Sequence, residues 1–595
     1  MHAMKGAPDL AALRERWFRR WPEALAQWSR FTQLRDPRWC ATEGDEANES
    51  LSGSFAMIRL DDHGVVISLR QIAELGLEDF PVEVLAHEIG HHVYCPGNLG
   101  DHARMIARMR RALAPMLDRA PLVANLYGDL LINDRLQRAG GLRMAELYGR
   151  IRGPEESTEL WRFYLRTYEI LWSLPKGALA PGEITQKIDV DALLASRVVR
   201  SFAKDWLRGA GRYAALCFPY LESLPPEKLA REAGRWLDAK GASVDEIPDG
   251  LAEIDDDELD GAIHPALDPD LSGIDWDEER EAMPTGATKT GDTTPRQRYR
   301  EPFDYKEILR SVGVTLSDEE LTIRYYRERA LPNLIRFPVR ELPRSTDPLP
   351  EGLETWEAGD AMESLDVVES LMASSTLIPG VTTVQRTWGT SPGNDPEREP
   401  IDLYLGVDCS GSMSNPAVTM SYPVLAGAII ALSALRAGAR VMVCLSGEPG
   451  SFSATDGFIR NEHEVLKTLT GYLGTGYSFG IHRLKFAFAD RKPSDRPAHI
   501  MIVTDHDIFA MLGERDGTTV GWERAKLSLD AARGGGTYVL HMDAKWSPHE
   551  SQRMRDDGWG VHFVNDWKEM VEFAREFSRR TWERQAERQV KSHRS

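Results

Sequence analysis

The sequence feature that most limits how this chain can fold is the run VLAHEIGHHVY at residues 84–94. In a helix, His87 and His91 lie one turn apart on the same face, where both imidazoles can bind one Zn²⁺. Glu88 then lies beside the metal as a candidate general base. The opposing hypothesis is an amphipathic core helix with solvent-facing histidines. That hypothesis is weaker because buried imidazoles and a buried carboxylate are costly without a partner.

Two short β-rich runs, residues 55–60 and 65–69, precede this helix and are separated by DDHG, which fits a hairpin turn. Pro81 can open the helix because the first turn needs no N–H there. A strand pair followed by a metal-binding helix resembles the order of elements in zincins, a class of zinc peptidases. The resemblance implies an edge strand that receives an extended peptide by backbone pairing. We therefore expect a mostly helical, α+β, zincin-like domain over residues 1–240.

A catalytic zinc needs a third protein ligand and an open position for water. The metzincin arrangement is excluded, because its third histidine would fall at Gly97. The best source of the ligand is a predicted helix at residues 123–135. Along its polar face Asn125, Asp129 and Asn133 recur at every fourth residue. We predict that Asp129 is the third zinc ligand.

The pattern of this second helix departs from that of gluzincins. In gluzincins the ligand is a glutamate, here replaced by Asn125, and an aspartate four residues later orients a histidine. Two roles are therefore open for Asp129: it binds zinc directly, or it only orients a histidine of the first helix. Asp134 and Glu146 are reserve ligands. The alternative for the whole stripe is a solvated helix face.

Composition limits the class of protein and of partner. A chain of 595 residues is too long for one core and should form three or four domains. Its 72 basic and 92 acidic residues argue against nonspecific binding to nucleic acid or to anionic membranes. Five scattered cysteines without a C-x-x-C motif favour a reducing compartment. No secretion signal or membrane-spanning run is recognisable, so we expect a cytoplasmic protein.

Residues 155–240 show helical periodicity and should complete the first domain. Residues 245–279 then contain 15 Asp and Glu and neither Lys nor Arg. Such a run buries too little apolar surface to fold alone, so residues 241–300 are predicted as a disordered acidic linker. The alternative is a docking segment for a basic partner. Its apolar anchors would be Ile254, Leu259, Leu271 and Trp276. Residues 301–395 are predicted as a helical and extended connector with a helix at 318–330.

The last third of the chain predicts an α/β domain. Residues 401–407 are an apolar run typical of a central parallel strand, and the run ends in D-C-S-G-S at 408–412. The segments that follow alternate between helices and strands: 418–436, 441–445, 499–503, 537–542, 560–564 and 567–577. This order predicts a doubly wound, Rossmann-like parallel sheet over residues 396–585, with ligands at the carboxyl ends of the strands. Residues 586–595 form a basic tail.

Carboxylate and hydroxyl oxygens at alternate positions of a tight loop can converge on one hard cation. The D-x-S-G-S loop resembles the first loop of the metal ion-dependent adhesion site of von Willebrand factor A domains. This resemblance implies Mg²⁺ held directly by Ser410, Ser412 and Thr475 and largely through water by Asp408 and Asp505. The family usually has Asp-Gly after the last of these strands, where this chain has Asp505, His506 and Asp507. Cys409 is expected to pack, and the alternative is a hydroxyl-rich loop without an ion.

The two predicted metal sites together suggest two functions. The HExxH helix, the N-x-x-x-D-x-x-x-N helix and the A-like domain resemble a bacterial group of metallopeptidase-like proteins. Bacterial A domains of this kind commonly work with MoxR-type AAA+ ATPases, and a Mg²⁺ with an open position can bind a partner's carboxylate. The chain is therefore either a zinc-dependent peptidase or amidase acting on a protein or peptide, or a non-catalytic adaptor of the ATPase. Because no Walker motif occurs, ATP hydrolysis would come from the partner.

Overall fold

The structure is a computed structural model that divides into two compact units. Unit 1 comprises Met1–Glu328 with Ala417–Thr419, and unit 2 comprises Arg329–Pro416 with Met420–Ser595. The structure describes residues 9–51, 54–60, 62–151, 158–224, 239–240, 248–260, 262–271, 299–341, 346–392, 398–447, 450–566 and 568–577. Within these residues no helix is both long enough and apolar enough to cross a membrane.

Unit 1 is mostly helical, as predicted. Its helices are α1 (Leu10–Phe18), α2 (Trp21–Ala26), α3 (Glu43–Asn48), α4 (Leu69–Glu74), α5 (Pro81–Val93), α6 (Leu99–Ala112), α7 (Ala120–Arg138), α8 (Met144–Ile151), α9 (Glu159–Leu171), α10 (Gln186–Ser201), α11 (Trp206–Glu222), α12 (Asp256–Asp260), α13 (Pro302–Ser311) and α14 (Asp318–Ala330), which ends just beyond the unit. The predicted helix at 318–330 is therefore confirmed.

A small sheet completes unit 1. Its strands are β1 (Arg38–Cys40), β2 (Ala56–Arg59), β3 (Val65–Ser68) and β4 (Ala239–Lys240), in the order β1-β3-β2-β4. The predicted hairpin is confirmed, because β2 and β3 pair antiparallel. Neither strand is left as an edge, since β1 pairs with β3 and β4 pairs with β2, both in parallel.

Helix α5 crosses α7 closely because Gly90 has no side chain. A Cβ at Gly90 would lie 2.6 Å from Cγ2 of Ile132 on α7. Pro81 occupies the first turn of α5, where no N–H is needed. The ring of Trp28 approaches the position of that Gly90 Cβ to 2.6 Å, and its indole N–H donates to the carbonyl oxygen of Ala86 at 2.7 Å. These contacts bury α5 almost along its whole length.

The acidic run differs from the predicted linker over residues 248–260 and 262–271, which pack on unit 1. Ile254 and Leu271 are buried there, so neither is available as an anchor for a partner. Arg108 of α6 is buried and donates to Asp255 and Asp257, at 2.9 Å in both contacts. Composition predicted a spacer because the basic partners of this run lie outside it, between 42 and 149 positions away in sequence. Trp276 and residues 586–595 lie outside the described residues.

Unit 2 contains a six-stranded sheet beside smaller elements. Its helices are α15 (Val367–Ala373), α16 (Tyr422–Arg436), α17 (Glu462–Leu469), α18 (Leu484–Phe488), α19 (Ile508–Gly513), α20 (Gly521–Ala532) and α21 (Pro548–Asp556). Its strands are β5 (Val339–Glu341), β6 (Thr346–Thr355), β7 (Val384–Pro392), β8 (Arg398–Pro400), β9 (Asp402–Asp408), β10 (Val441–Ser446), β11 (Phe452–Ala454), β12 (Ala498–Asp505), β13 (Arg515–Asp516), β14 (Thr519–Val520), β15 (Arg533–His541) and β16 (Gly560–Val564).

The six-stranded sheet has the order β11-β10-β9-β12-β15-β16, and all of its strands are parallel except β11. The chain winds from β9 toward β11 and then returns to β12, so the strand order reverses between β9 and β12. Helices cover both faces. Leu405 of β9 faces α16, where a Cβ at Gly427 would approach it to 3.1 Å, whereas the adjacent Tyr404 packs with Phe488 of α18. The predicted parallel α/β sheet is confirmed.

The residues predicted as a connector form several elements. Helices α13 and α14 come first, and β5 pairs with β8 while β6 pairs with β7, both antiparallel. The last predicted helix is observed at 569–577, and Trp567 lies outside the described residues.

Candidate metal centres

The first candidate centre lies where α5 meets α7 in unit 1. Nε2 of His91 lies 3.3 Å from Oδ1 of Asp129, and Nε2 of His87 lies 3.7 Å from the same oxygen. One ligand atom from each of the three residues can be chosen within 4.8 Å of the others. All three side chains are buried, and so is Glu88, which follows His87 on α5. The structure thus brings together the three residues predicted as zinc ligands.

Both imidazoles are held by their other nitrogen. Nδ1 of His87 lies 2.7 Å from Oδ1 of Asn133, and Nδ1 of His91 lies 3.0 Å from the carbonyl oxygen of Cys95. These oxygens can only accept, so each Nδ1 carries the hydrogen and donates it. Each Nε2 therefore presents a lone pair toward Asp129. This is the tautomer that a metal ion requires.

The protonation states leave an electrostatic problem that a cation would solve. Burial lowers the pKa of His87 to about 4, although Asp129 acts against this, so the imidazole is neutral at pH 7. Oδ1 of Asp129 and Nε2 of His91 are buried and have no hydrogen-bond partner. Tetrahedral zinc with bonds of about 2.0–2.1 Å separates its ligand atoms by roughly 3.3–3.4 Å. The 3.3 Å between His91 and Asp129 equals that separation, and the 3.7 Å between His87 and Asp129 is a few tenths of an ångström longer.

The other oxygen of Asp129 is also held in place. Oδ2 accepts from Nδ2 of Asn125 at 3.2 Å and from the hydroxyl of Tyr164, on α9, at 3.5 Å. Burial raises the pKa of Tyr164 well above its ordinary value, so the phenol keeps its proton as a donor. Asn125 therefore orients the aspartate.

Asn133 connects His87 to two tyrosines. Its Nδ2 donates to the hydroxyls of Tyr148 at 2.9 Å and Tyr168 at 2.7 Å, which fixes the orientation of the amide and leaves Oδ1 for His87. The helical periodicity of residues 155–240 includes Tyr164 and Tyr168 but did not indicate a role for their hydroxyls. Their four-residue spacing could have indicated a hydroxyl-bearing face.

The reserve ligands lie elsewhere. Asp134 pairs with Arg138 at 3.5 Å and with Arg200 at 4.0 Å, and burial raises the pKa of its carboxyl. Glu146 is exposed and lies 3.9 Å from Arg143. Neither residue belongs to the group of possible metal ligands around α5.

The second candidate centre lies at the carboxyl ends of β9 and β12 in unit 2, where the strand order reverses. Open α/β sheets bind ligands at such points. Ser412 Oγ donates to Oδ2 of Asp505 at 2.9 Å, and the Oγ atoms of Ser410 and Ser412 are 3.0 Å apart. The Ser410 N–H donates to Oδ1 of Asp408 at 2.9 Å. Four of the five predicted positions are therefore joined by hydrogen bonds.

The fifth position, Thr475, reaches the same place through its backbone. Its carbonyl oxygen accepts from the N–H of Gly411 at 2.8 Å, but its hydroxyl donates to the carbonyl oxygen of Tyr477 at 3.1 Å. Thr504, which sequence reasoning missed, donates through its hydroxyl to Oδ2 of Asp408 at 2.8 Å. Burial raises the pKa of Asp408, so this carboxylate is costly without a nearby cation.

The loop after β12 contains the residues at which this sequence departs from the usual Asp-Gly pattern. Asp505, His506 and Asp507 can place one ligand atom each within 4.8 Å of the others. Nε2 of His506 lies 3.3 Å from Oδ1 of Asp507, and both side chains are exposed. The Asp507 N–H donates to Oδ1 of Asp505 at 3.0 Å, which leaves Oδ2 for Ser412. An imidazole is a poor ligand for Mg²⁺. The set of oxygen ligands that includes Ser410 and Ser412 therefore fits a hard cation better than the set that includes His506.

Comparison with known proteins identified no relative of this chain. No protein-family model, no curated protein and no solved structure matches the chain. The geometry of the two centres therefore carries the functional argument.

Proposed function

We propose that unit 1 is a metal-dependent hydrolase and, more specifically, a zinc peptidase. His87, His91 and Asp129 would hold the ion, and Glu88 would act as general base. The observation that carries the proposal is that Nε2 of His91 and Oδ1 of Asp129 lie 3.3 Å apart, both buried without a hydrogen-bond partner, while Nε2 of His87 lies 3.7 Å from the same oxygen. Three acceptors do not gather in a buried place without a cation or a proton to share.

The chain's own residues divide the work. Bound zinc would supply a polarised carbonyl and a water of lowered pKa. Glu88 would accept the proton of the attacking water and deliver it to the leaving amine nitrogen. Asn133 holds His87 in the ligand tautomer, and Asn125 aims the carboxylate of Asp129. Burial of the group keeps bulk water away.

Metal analysis and peptide hydrolysis test this proposal. Zinc-saturated, dialysed full-length protein should retain about one zinc per chain, and His91→Ala should lose it. His92→Ala is the matched control, because His92 lies next in α5 and its ring packs against that of His63, with the centroids 4.1 Å apart. Glu88→Gln should keep zinc and lose casein cleavage. Absence of bound zinc, or full cleavage by Glu88→Gln, would refute the proposal.

We further propose that unit 2 is a von Willebrand A-like domain that binds Mg²⁺ and a partner protein, a MoxR-type AAA+ ATPase. Its ion would be held by Asp408 at the end of β9, Ser410 and Ser412 just after it, Asp505 at the end of β12 and Thr475, which lies in the loop after α17. Support comes from the strand order and from the hydrogen-bonded hydroxyl and carboxylate groups. Asp408→Ala should abolish Mg²⁺-dependent capture of the ATPase. Asp490→Ala removes an exposed carboxylate as the control and should leave capture unchanged.

A second function, that of a non-catalytic adaptor of the ATPase, has its own supporting observations. His91 and Asp129 are each only 1% exposed, which leaves little access for a substrate. In addition, β4 pairs with β2, so the predicted peptide-receiving hairpin already has a neighbour on that side. Zinc-loaded protein that cleaves no substrate, yet captures the ATPase in a Mg²⁺-dependent manner, would favour the adaptor.

A further inference from the structure

One region of unit 2 exposes apolar side chains that a folded protein usually buries. We call residues 346–392 the arm, and it consists of the hairpin β6–β7 and helix α15. Helix α15 is inverted: its buried residue is Ser370, and its apolar residues face outward. These exposed residues are Val367 (45%), Val368 (67%), Leu371 (47%) and Met372 (78%). Scattered exposed apolar residues are normal, but an apolar cluster of this kind marks an interaction surface.

The arm is internally ordered despite this exposure. The Trp356 indole N–H donates to the carbonyl oxygen of Ala361 at 3.0 Å. Asp366 caps α15 and accepts from Nε of Arg386 at 2.6 Å. Ser370 ties α15 to β7 by accepting from the Val384 N–H at 2.9 Å. Six further residues of the arm also expose apolar side chains: Leu349, Leu353, Leu377, Ile378, Val381 and Trp388.

The charge of the arm restricts what can cover it. It contains eight acidic residues and one basic residue, Arg386, which gives a net charge of −7. A second copy of the arm would bring like charges together and be repelled. The occupant must therefore combine basic and apolar side chains.

We propose that the arm binds residues 578–595 of the same chain, here called the basic segment. This segment has six basic and two acidic residues, a net charge of +4 with His593 neutral. Its arginines recur at positions 580, 584 and 588, and its apolar residues recur at 582, 586 and 590. This is the pattern of a basic amphipathic segment, and it matches the arm in both charge and apolar character.

The path of the chain allows this contact within unit 2. Phe577, the last described residue, packs near Phe337 with ring centroids 6.5 Å apart. Close to it, Arg575 donates to Oδ1 of Asn333 at 2.6 Å. Phe337 precedes the start of β6 by nine positions (346 − 337). Eighteen residues span up to about 60 Å when extended, so the basic segment can reach the arm.

Thiol labelling of the full-length chain tests the proposal. The five native cysteines are buried, so a thiol-reactive dye reports on an introduced one. Met372→Cys should label several-fold more slowly in the full chain than in a chain lacking residues 578–595. The full-length Met372→Cys chain that also carries Arg580→Glu, Arg584→Glu and Arg588→Glu should label as fast as the shortened chain. A synthetic 578–595 peptide should restore protection to the shortened chain, less so at high salt.

Lys545→Cys is the control, because this exposed position lies outside the arm and should label at one rate in all backgrounds. Equal labelling of Met372→Cys with and without the basic segment would overturn the proposal. Protection that disappears on dilution would also overturn it, because the occupant would then be a second copy. Equal protection by a charge-reversed peptide would show that opposite charge does not drive the contact, and would also overturn the proposal.

Discussion

Replacement of Asn133 by leucine tests whether the orientation of His87, a proposed zinc ligand, contributes to zinc affinity. Leucine has nearly the shape of asparagine but cannot accept the hydrogen of Nδ1 of His87, 2.7 Å away in the structure. His87 would lose its preferred tautomer, and its Nδ1 would be buried without an acceptor. Tyr148 and Tyr168 lose a donor, but each hydroxyl keeps a contact with Tyr164.

The size of the effect follows from these contacts. Loss of a residue that orients a metal-binding histidine typically reduces metal affinity by about 10–100-fold, or about 1.4–2.7 kcal/mol. Stranding the buried Nδ1 of His87 should lower the free energy of unfolding of the metal-free protein by about 1–3 kcal/mol. Asn133→Asp keeps an acceptor at the same place, and the tyrosines can donate to it. This variant should therefore hold zinc as tightly as the natural chain, or more tightly.

Competition with a chromogenic zinc chelator measures the affinity, and chemical denaturation measures the stability. Thr167→Val is a suitable control: Thr167 is buried in α9, but its hydroxyl bonds only to the carbonyl oxygen of Phe163. It should change stability without changing zinc affinity. If Asn133→Leu bound zinc as tightly as the natural chain, the argument that Asn133 fixes the tautomer of His87 would be refuted.

Two further predictions concern the framework of unit 1. Burial acts to raise the pKa of Glu258, but ion pairs with Arg300 and a second arginine hold it below its usual value. The stabilisation is therefore present at pH 7 and lost as the pH falls through that lowered pKa. Glu258→Gln should lower the free energy of unfolding by about 3 kcal/mol at pH 7, and the difference should shrink toward pH 3. Gly90→Ala should cost about 1–3 kcal/mol and weaken zinc binding, because its Cβ would meet Ile132 at 2.6 Å. Gly149→Ala, in open space on α8, should instead stabilise by about 0.5–1 kcal/mol in the same denaturation assay.

Local periodicity was sufficient to predict the parts of the first centre that lie on two helices. The four-residue spacing of His87 and His91, and that of Asn125, Asp129 and Asn133, specifies one face of each helix. The apolar residues around them indicate that the two faces are buried and must meet. For the same reason the strand ending at Asp408 and the alternation after it predicted the parallel sheet.

Contacts between distant segments could not be predicted in this way. Tyr168 reaches Asn133 from 35 positions away, and nothing in its own helix distinguishes a hydroxyl that orients an amide from one in an ordinary core. The acidic run shows the same limit. Its composition lacks a basic counterpart, whereas in the structure Glu258 is fully buried between Arg111 and Arg300. Burial of charge depends on partners that composition does not assign.

The two candidate centres differ in how many of their side chains are already oriented for an ion. This difference predicts how far each centre must rearrange when its ion binds. At the first, both Nδ1 hydrogens and the second oxygen of Asp129 are already bound, so ion binding needs little rearrangement. At the second, the hydroxyl of Thr475 is turned to the carbonyl oxygen of Tyr477 and must break that bond to reach an ion. One neutral hydrogen bond is worth about 0.5–1.5 kcal/mol. Because that cost is small, we expect Mg²⁺ to move the loop around Thr475, whereas zinc should leave α5 and α7 as they are.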